Sequence, residues 1–397
     1  MSKTVYVAFS ADIIHQGHLN ILNKAAELGD VTVGVLTDEV VAAYKRYPIL
    51  DYETRAGLFS NMKQVTRVVK QETLSYRDNL LALKPDYVVH GDDWKSGFQE
   101  KIREEVIETV KEYGGELIEV PFTKNVSGSK LDMQIRQLIN TPDIRRAKLR
   151  KLLKIKPYLR VMEASNGLSG LIVENARYED VNASCVREYD AMWISSLCDS
   201  TFKGKPDIEL VDFTSRINTI NDIMEVTTKP IILDGDTGGK TEHLVYNVKT
   251  LERIGVSAVV LEDKTGLKQN SLYGTDAKQV LEDPYIFAAK LKAGKQAQVT
   301  EDFMIFARCE SLIAGRGMKD ALDRARIYLQ EGNADGIMIH SRNKDGKEIH
   351  DFLEEFRKEF PETPIILVPT SYNHVKEEEL CEWGANIIIY ANHLLRS

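Results

Sequence analysis

No stretch of the 397-residue chain approaches the ~18 consecutive apolar residues that a membrane helix needs. The apolar run that follows Met1-Ser2-Lys3 breaks off at Ser10, too short for a secretory signal. Cysteine is scarce: Cys185, Cys198, Cys309 and Cys381 show neither paired metal-site spacing nor a disulfide framework. A cytoplasmic, reducing location without a membrane partner is therefore expected. Net positive charge is lacking too. The 52 Lys+Arg against 60 Asp+Glu leave −8, which argues against bulk binding to nucleic acid but leaves room for local phosphate pockets. What remains is an ordinary globular composition, 43% hydrophobic and 28% charged. At one domain per ~150 residues the length predicts two or three domains.

Short apolar, β-branched runs at 4–9, 31–36, 65–69, 87–90 and 116–120 alternate with helical periodicity at 19–28 and 99–113. Strands separated by helices predict an α/β domain with a doubly wound parallel sheet over 1–135. From 136 to 156 the chain turns basic (Arg145, Arg146, Lys148, Arg150, Lys151, Lys154, Lys156), which reads as a solvated linker. The alternation then restarts over 157–397, with strands expected at 159–163, 191–194, 231–234, 258–262, 303–308, 336–340, 365–368 and 387–390. Eight parallel strands in this length predict a (β/α)8 TIM-type barrel, with polar residues gathered at the strands' C-terminal ends. The sequence stops just after the eighth strand, so the eighth helix is expected to be missing.

Phe9-Ser-Ala-Asp12-Ile-Ile-His15-Gln-Gly17-His18 joins the first strand to its helix. Both imidazoles fall at a helix N-terminus, where exposed N–H groups and the helix dipole favour an anion. Gly17 lets the backbone approach a phosphate closely. The region resembles the cytidylyltransferases of the HxGH nucleotidyltransferase superfamily, especially the glycerol-3-phosphate cytidylyltransferase branch. Tyr52-Glu-Thr-Arg55, Gly91-Asp92-Asp93-Trp94 and Val126-Ser127-Gly128-Ser129-Lys130 are similar to further blocks of that branch, in the same order. The resemblance implies a Rossmann-like nucleotidyltransferase domain with CTP as co-substrate and Mg2+ beside the pyrophosphate. It gives His15 and His18 to the transition state at the α-phosphorus. Ser10, Ser127, Ser129 and either Lys45 or Arg46 would hold the triphosphate, and Asp92 and Trp94 the nucleoside. Phe9, Arg55 and Gly91 complete the nucleotide-binding set. Phe122-Thr123-Lys124-Asn125 departs from the branch's Arg-Thr-x-Gly, which points to an acceptor unlike glycerol phosphate.

In the second half Asp234, Asp236 and Glu262 stand at the ends of adjacent expected strands. Oxygen-only ligation favours Mg2+. Arg308 and His340 are expected at the same mouth, and cations beside a metal imply an anionic substrate. Glu163-Ala-Ser-Asn-Gly167, Asp234-Gly-Asp236-Thr-Gly238, Glu262-Asp263-Lys264-Thr265-Gly266-Leu267-Lys268-Gln269-Asn270-Ser271, Ala307-Arg308-Cys-Glu310 and Tyr390-Ala-Asn-His393 resemble the phosphoenolpyruvate mutase branch of the isocitrate lyase superfamily. The superfamily's lyase block Lys-Lys-Cys-Gly-His is absent. By the resemblance, the backbone N–H groups of Trp193, Ser195, Ser196 and Leu197 bind the migrating phosphoryl group, with Arg308, His340 and Asn270 on its oxygens. Asp207 orients the phosphoryl or accepts it transiently, and Lys268 and Asn270 close over the site and exclude water.

The combination resembles the bifunctional enzymes of phosphonate biosynthesis. The implied reactions are isomerisation of phosphoenolpyruvate to phosphonopyruvate in the barrel and CMP transfer to a phosphonate such as 2-hydroxyethylphosphonate in the first domain. Because phosphoenolpyruvate is the more stable isomer, a phosphonopyruvate decarboxylase is implied as a pathway partner, and the family implies a homo-oligomer. Three alternatives stay open: a phosphonopyruvate hydrolase barrel; 2-aminoethylphosphonate or a phosphoalcohol as acceptor; and a non-catalytic CTP sensor. Cys309 reads as a small buried hydrophobe, and His90, His243, His350 and His374 carry no motif.

Overall fold

The computed structural model describes every residue except 1, 12, 45, 96, 122–134, 136, 137, 139, 181–184, 267, 269, 270, 272–278 and 397. Two compact units result: 1–139 with 177–187, and 140–176 with 188–397. Among the described residues no helix is long and apolar enough to cross a membrane.

In the first unit five parallel strands, β1 (Thr4–Phe9), β2 (Asp30–Leu36), β3 (Arg67–Gln71), β4 (Tyr87–Gly91) and β5 (Glu116–Val120), lie in the order β3-β2-β1-β4-β5. Helices α1 (Gln16–Leu28), α2 (Asp38–Tyr44), α3 (Tyr52–Ser60), α4 (Arg77–Leu83) and α5 (Glu100–Tyr113) connect them. The period of two along β1 supplies both faces: Val5, Val7 and Phe9 enter one apolar cluster, and Tyr6 and Ala8 the other. Strand order reverses between β1 and β4, and the crevice beyond their C-terminal ends is where such sheets bind ligands. His15 and His18 follow β1, and Gly91 closes β4.

The second unit begins earlier than expected. The stretch read as a linker contains helix α6 (Pro142–Ile155), started by Pro142 in its first turn. Its 3.6-residue period places Arg145, Arg146, Leu149 and Leu152 on one buried face. Arg145 donates to the carbonyls of Met224 and Thr227, and Arg146 to that of Glu252. Two of these carbonyls lie in the last turns of other helices, where cations are favoured. The basic residues thus serve barrel packing rather than a solvated connector.

The barrel closes in chain order through β6 (Leu159–Glu163), β9 (Ala191–Ile194), β10 (Ile231–Asp234), β11 (Ala258–Glu262), β12 (Met304–Cys309), β13 (Gly336–Ile339), β14 (Ile365–Leu367) and β15 (Ile387–Tyr390). Residues β7 (Arg177–Asp180) and β8 (Cys185–Glu188) form a separate two-stranded sheet. Parallel strands covered on both faces need apolar residues at nearly every position, hence the unbroken runs. Around the barrel lie α7 (Gly167–Asn175), α8 (Ser196–Phe202), α9 (Phe213–Met224), α10 (Thr241–Ile254), α11 (Pro284–Ala297), α12 (Gly317–Gln330), α13 (Lys347–Glu359) and α14 (Glu377–Glu382). The four-residue α15 (His393–Arg396) follows β15, and β15 pairs directly with β6.

Candidate active sites

His15 is the N-cap of α1. Its Nδ1 accepts from the Gly17 N–H at 3.1 Å, while Nδ1 of His18 accepts from the His15 N–H at 3.2 Å. With both Nδ1 atoms accepting, each neutral ring carries its proton on Nε2, and the backbone has chosen the tautomer. The ring centroids lie 3.9 Å apart. Phe9 meets the His18 ring edge-on at 5.1 Å and stacks on Phe59, so it seats the histidine from within the core. Both imidazoles can therefore present N–H donors to an anion at the helix N-terminus.

Two residues expected to touch the nucleotide point inward instead. Arg55 is fully buried, and its guanidinium donates to the carbonyls of Leu50 and Ser10 and to Asp38 Oδ1 at 2.6 Å. It fixes the Ser10 loop from behind. Trp94 is 1% exposed, donates its indole N–H to Glu119 at 2.9 Å and is stacked by His90 at 3.7 Å. Arg103, helped by Trp94 and Lys95, holds the Glu119 carboxyl down at about 2. Trp94 thus builds the floor beneath β4 and leaves nucleoside contact to others. A Cβ at Gly91 would meet Asp93 Oδ1 at 2.8 Å, the end of a side chain that can move aside. Ser10, Arg46 and Asp92 are half-buried. Lys45, Ser127 and Ser129 lie outside the described residues.

The barrel mouth assembles residues from most strand ends. Its cavity is lined by Trp193, Ser195, Ser196, Asp207, Asp234, Lys268, Ser271, Arg308 and His340, with Leu197, Met338, Val368, Ala391 and Asn392 completing the wall. Lys268 Nζ donates to Ser196 Oγ at 2.7 Å, to Asp207 Oδ1 at 2.9 Å and to Asp236 Oδ1. Asp234 Oδ2 accepts from both the N–H and the hydroxyl of Ser196. That Ser196 N–H, expected for a phosphoryl group, is therefore committed to Asp234 here. Asn270 lies outside the described residues.

Electrostatics separate the buried acids. Burial would raise Asp234, but Lys268, Arg308 and Arg216 hold it at about 2. At Glu262 burial outweighs the cations: it pushes the carboxyl up to about 7 despite Arg308 and Lys264, each 3.5 Å away. Neither Glu262 oxygen has a hydrogen-bond partner. Burial, reinforced by the positive Arg308, drives His340 down to about 3, so its ring is neutral near pH 7. Its Nε2 is buried without a partner.

Asp234, Asp236 and Glu262 do not bring one oxygen each within 4.8 Å of one another; only the surface trio His350, Asp351 and Glu354 does so among the described residues. Lys268 and Arg308 stand between the barrel acids instead. A hard dication nevertheless suits the all-oxygen donor set, because it would take up the orphaned Glu262 carboxylate oxygens as ligands. A Cβ at Gly235, between the two aspartates, would come within 2.6 Å of Val259 and 2.7 Å of Leu261, so only glycine permits this turn.

Several residues of the mouth had no role assigned from the sequence. Ser271 Oγ accepts from Lys264 at 2.6 Å and from Arg308 at 2.7 Å. Glu310 accepts from Arg308 Nε, and Asp263 receives the Glu310 N–H at 2.9 Å. Arg216 reaches Asp236 Oδ2 at 2.6 Å. Asp263, Lys264, Ser271 and Glu310 stand within the motif blocks, and nothing in the sequence signalled Arg216.

Comparison with known proteins divides along the same lines. The phosphoenolpyruvate phosphomutase family model matches residues 149–397, and the cytidylyltransferase-like model matches 10–187. A phosphoenolpyruvate phosphomutase of Tetrahymena pyriformis is 37% identical over 250 residues, 63% of this chain and 78% of that protein. An FAD synthase of Korarchaeum cryptofilum is 35% identical over 147 residues, 35% of this chain and 95% of that protein. The crystal structure of a phosphoenolpyruvate phosphomutase from Streptomyces platensis subsp. rosaceus is similar at TM-score 0.57 and 31% identity, covering 63% of this chain and 82% of that one. A phosphonopyruvate hydrolase in complex with oxalate and Mg2+ is similar at TM-score 0.55 and 31% identity, covering 64% and 82%. The chain belongs to the phosphoenolpyruvate phosphomutase family and carries a cytidylyltransferase-like domain ahead of its barrel.

Proposed function

We propose that the barrel interconverts phosphoenolpyruvate and phosphonopyruvate. One observation carries this reading: Arg308, neutral His340 and Lys268 line a single mouth with Asp207 and Asp234, while Asp236 and Glu262 are buried against Lys268 and Arg308. The phosphorus–oxygen bond to the enol breaks, the C2–C3 electron pair forms the carbon–phosphorus bond, and the enol oxygen becomes a ketone. Nothing else is consumed. Mg2+, held by Asp234, Asp236 and Glu262, would supply positive charge to the enolate and carboxylate oxygens. Arg308, braced by Glu310 and Ser271, holds phosphoryl oxygens in place, and His340 donates to one as a neutral imidazole. Asp207 orients the phosphoryl group or accepts it transiently. Lys268 leaves its carboxylates for the substrate's charge and closes the mouth, while Trp193, Met338 and Val368 keep that side dry.

The resemblance to phosphonopyruvate hydrolase supports a second reading, in which water captures the phosphoryl group. Phosphonopyruvate as substrate separates the two. The mutase returns phosphoenolpyruvate; the hydrolase releases pyruvate and inorganic phosphate.

For the first unit we propose transfer of CMP from CTP to a phosphonate such as 2-hydroxyethylphosphonate. A phosphonate oxygen attacks the α-phosphorus, the bond to pyrophosphate breaks, and the Nε2–H donors of His15 and His18 steady the charge on the non-bridging oxygens. Likeness to an FAD synthase makes the base itself worth testing. CTP and ATP, each offered 2-hydroxyethylphosphonate, 2-aminoethylphosphonate and glycerol 3-phosphate, are assayed by pyrophosphate release. CTP with a phosphonate should be the productive pair. Two sites would then serve non-consecutive steps of one route, in the cytoplasm.

A further inference from the structure

Asp236 is gripped from several sides. Its backbone is left-handed, with φ of 52°, a conformation that costs a non-glycine residue free energy. The two peptides on either side of Thr237 are clamped: its N–H donates to Glu209 Oε1 at 2.6 Å, and its carbonyl accepts from Lys290 Nζ at 3.1 Å. The carboxylate then divides its oxygens. Oδ1 faces Lys268 at the mouth, and Oδ2 accepts from Arg216 NH1 at 2.6 Å.

Arg216 stands in the first turn of α9, is 5% exposed, and lies 3.9 Å from Asp199 Oδ2. Asp199 is itself tied through Oδ1 to Lys203 and, at 2.8 Å, to the Thr219 hydroxyl. Arg216 Nε and NH2 make no hydrogen bond, so Asp199 holds the buried guanidinium by charge alone and Asp236 holds it by a hydrogen bond. With Oδ2 held by a buried guanidinium, Asp236 can offer a cation only Oδ1, and that only when Lys268, which donates to Oδ1 here, has turned away. Ca2+ gathers six to eight oxygens and often uses both oxygens of a carboxylate, whereas Mg2+ takes one oxygen per carboxylate and keeps waters.

We propose that Arg216 is a positioning residue that confines Asp236 to one-oxygen ligation and so sets the barrel's preference for Mg2+ over Ca2+. This inference rests on the reading of Asp234, Asp236 and Glu262 as the metal site. It is tested on the full chain, stripped of metal, by calorimetric titration with Mg2+ and separately with Ca2+. Arg216→Met should raise the ratio of Ca2+ to Mg2+ association constants by about tenfold or more, because Asp236 regains its second oxygen. Arg216→Lys, which keeps a donor for Oδ2, should return the ratio toward that of the unaltered protein. Loss of a nearby positive charge alone would strengthen both ions together. An unchanged ratio in folded Arg216→Met, or a lysine variant with the methionine variant's ratio, overturns the proposal. Should Arg216→Met not fold by circular dichroism, Asp199→Asn slackens the same anchor and is judged by the same ratio. Asp236→Asn keeps the two claims apart. If that variant binds Mg2+ as the unaltered protein does, the metal reading itself has failed.

Discussion

Replacing Glu262 by glutamine should stabilise the metal-free barrel at pH 8 while abolishing its response to Mg2+. The carboxylate is 1% exposed, neither oxygen is hydrogen-bonded, and its pKa is displaced from 4.5 to about 7. For an acid raised by folding, the stabilising contribution is complete below pH 4.5 and is lost as the pH climbs through 7. At about 1.4 kcal/mol per pH unit, the loss comes to about 3 kcal/mol. For a barrel of this size that corresponds to roughly 6–12 °C of melting temperature. Scanning calorimetry in EDTA from pH 5 to pH 8 should show the barrel transition of the unaltered protein falling by that much more than the transition of Glu262→Gln. Saturating Mg2+ should restore the difference only where the carboxylate is present. Parallel pH dependences for the two proteins would refute the argument, because Glu262 would then not be the strained group.

Other consequences follow residue by residue. His18→Ala should lower CTP-dependent pyrophosphate release by about 100-fold or more while leaving phosphonopyruvate conversion intact, and equal release would restore the CTP-sensor reading. Arg55→Met removes the donor to half-buried Asp38 and to the Ser10 and Leu50 carbonyls, so it should cost the first unit about 2 kcal/mol in denaturant titrations; a change confined to CTP affinity would contradict the inward placement. Ser271→Ala removes the shared acceptor of Lys264 and Arg308, costing about 1–3 kcal/mol in kcat/KM through loosened substrate binding. The His340 ring should remain neutral down to pH 5 in nitrogen-15 imidazole spectra, as burial and Arg308 require, and a titration near 6.5 would count against that.

All eight barrel strands were legible because strands covered on both faces must be apolar throughout, and several end at or just before a polar residue of the mouth, such as Ser195, Asp234 and His340. Their ends moved by a residue or so, as where β12 runs Met304–Cys309. Asp234, Glu262, Arg308 and His340 were legible for the same reason: chemistry and position coincide. Inward-turned polar residues were not. Arg55 looks like a phosphate ligand until α3 directs it at the Ser10 carbonyl, 45 residues away. Trp94 looks like a nucleoside platform until a 3-10 turn rolls it into the core. The charges from 145 to 156 resembled a solvated run because nothing local reveals that Arg145 will meet carbonyls about 80 residues downstream. Arg216 and Ser271 were missed alike, their partners lying 20 and 37 residues away.

Phosphorus NMR of phosphonopyruvate incubated with the full chain and Mg2+ tests the central claim most directly. The predicted result is growth of the phosphoenolpyruvate resonance with no inorganic phosphate, blocked in Arg308→Met. Inorganic phosphate appearing with pyruvate instead would show that water takes the phosphoryl group, and the mutase account would be wrong.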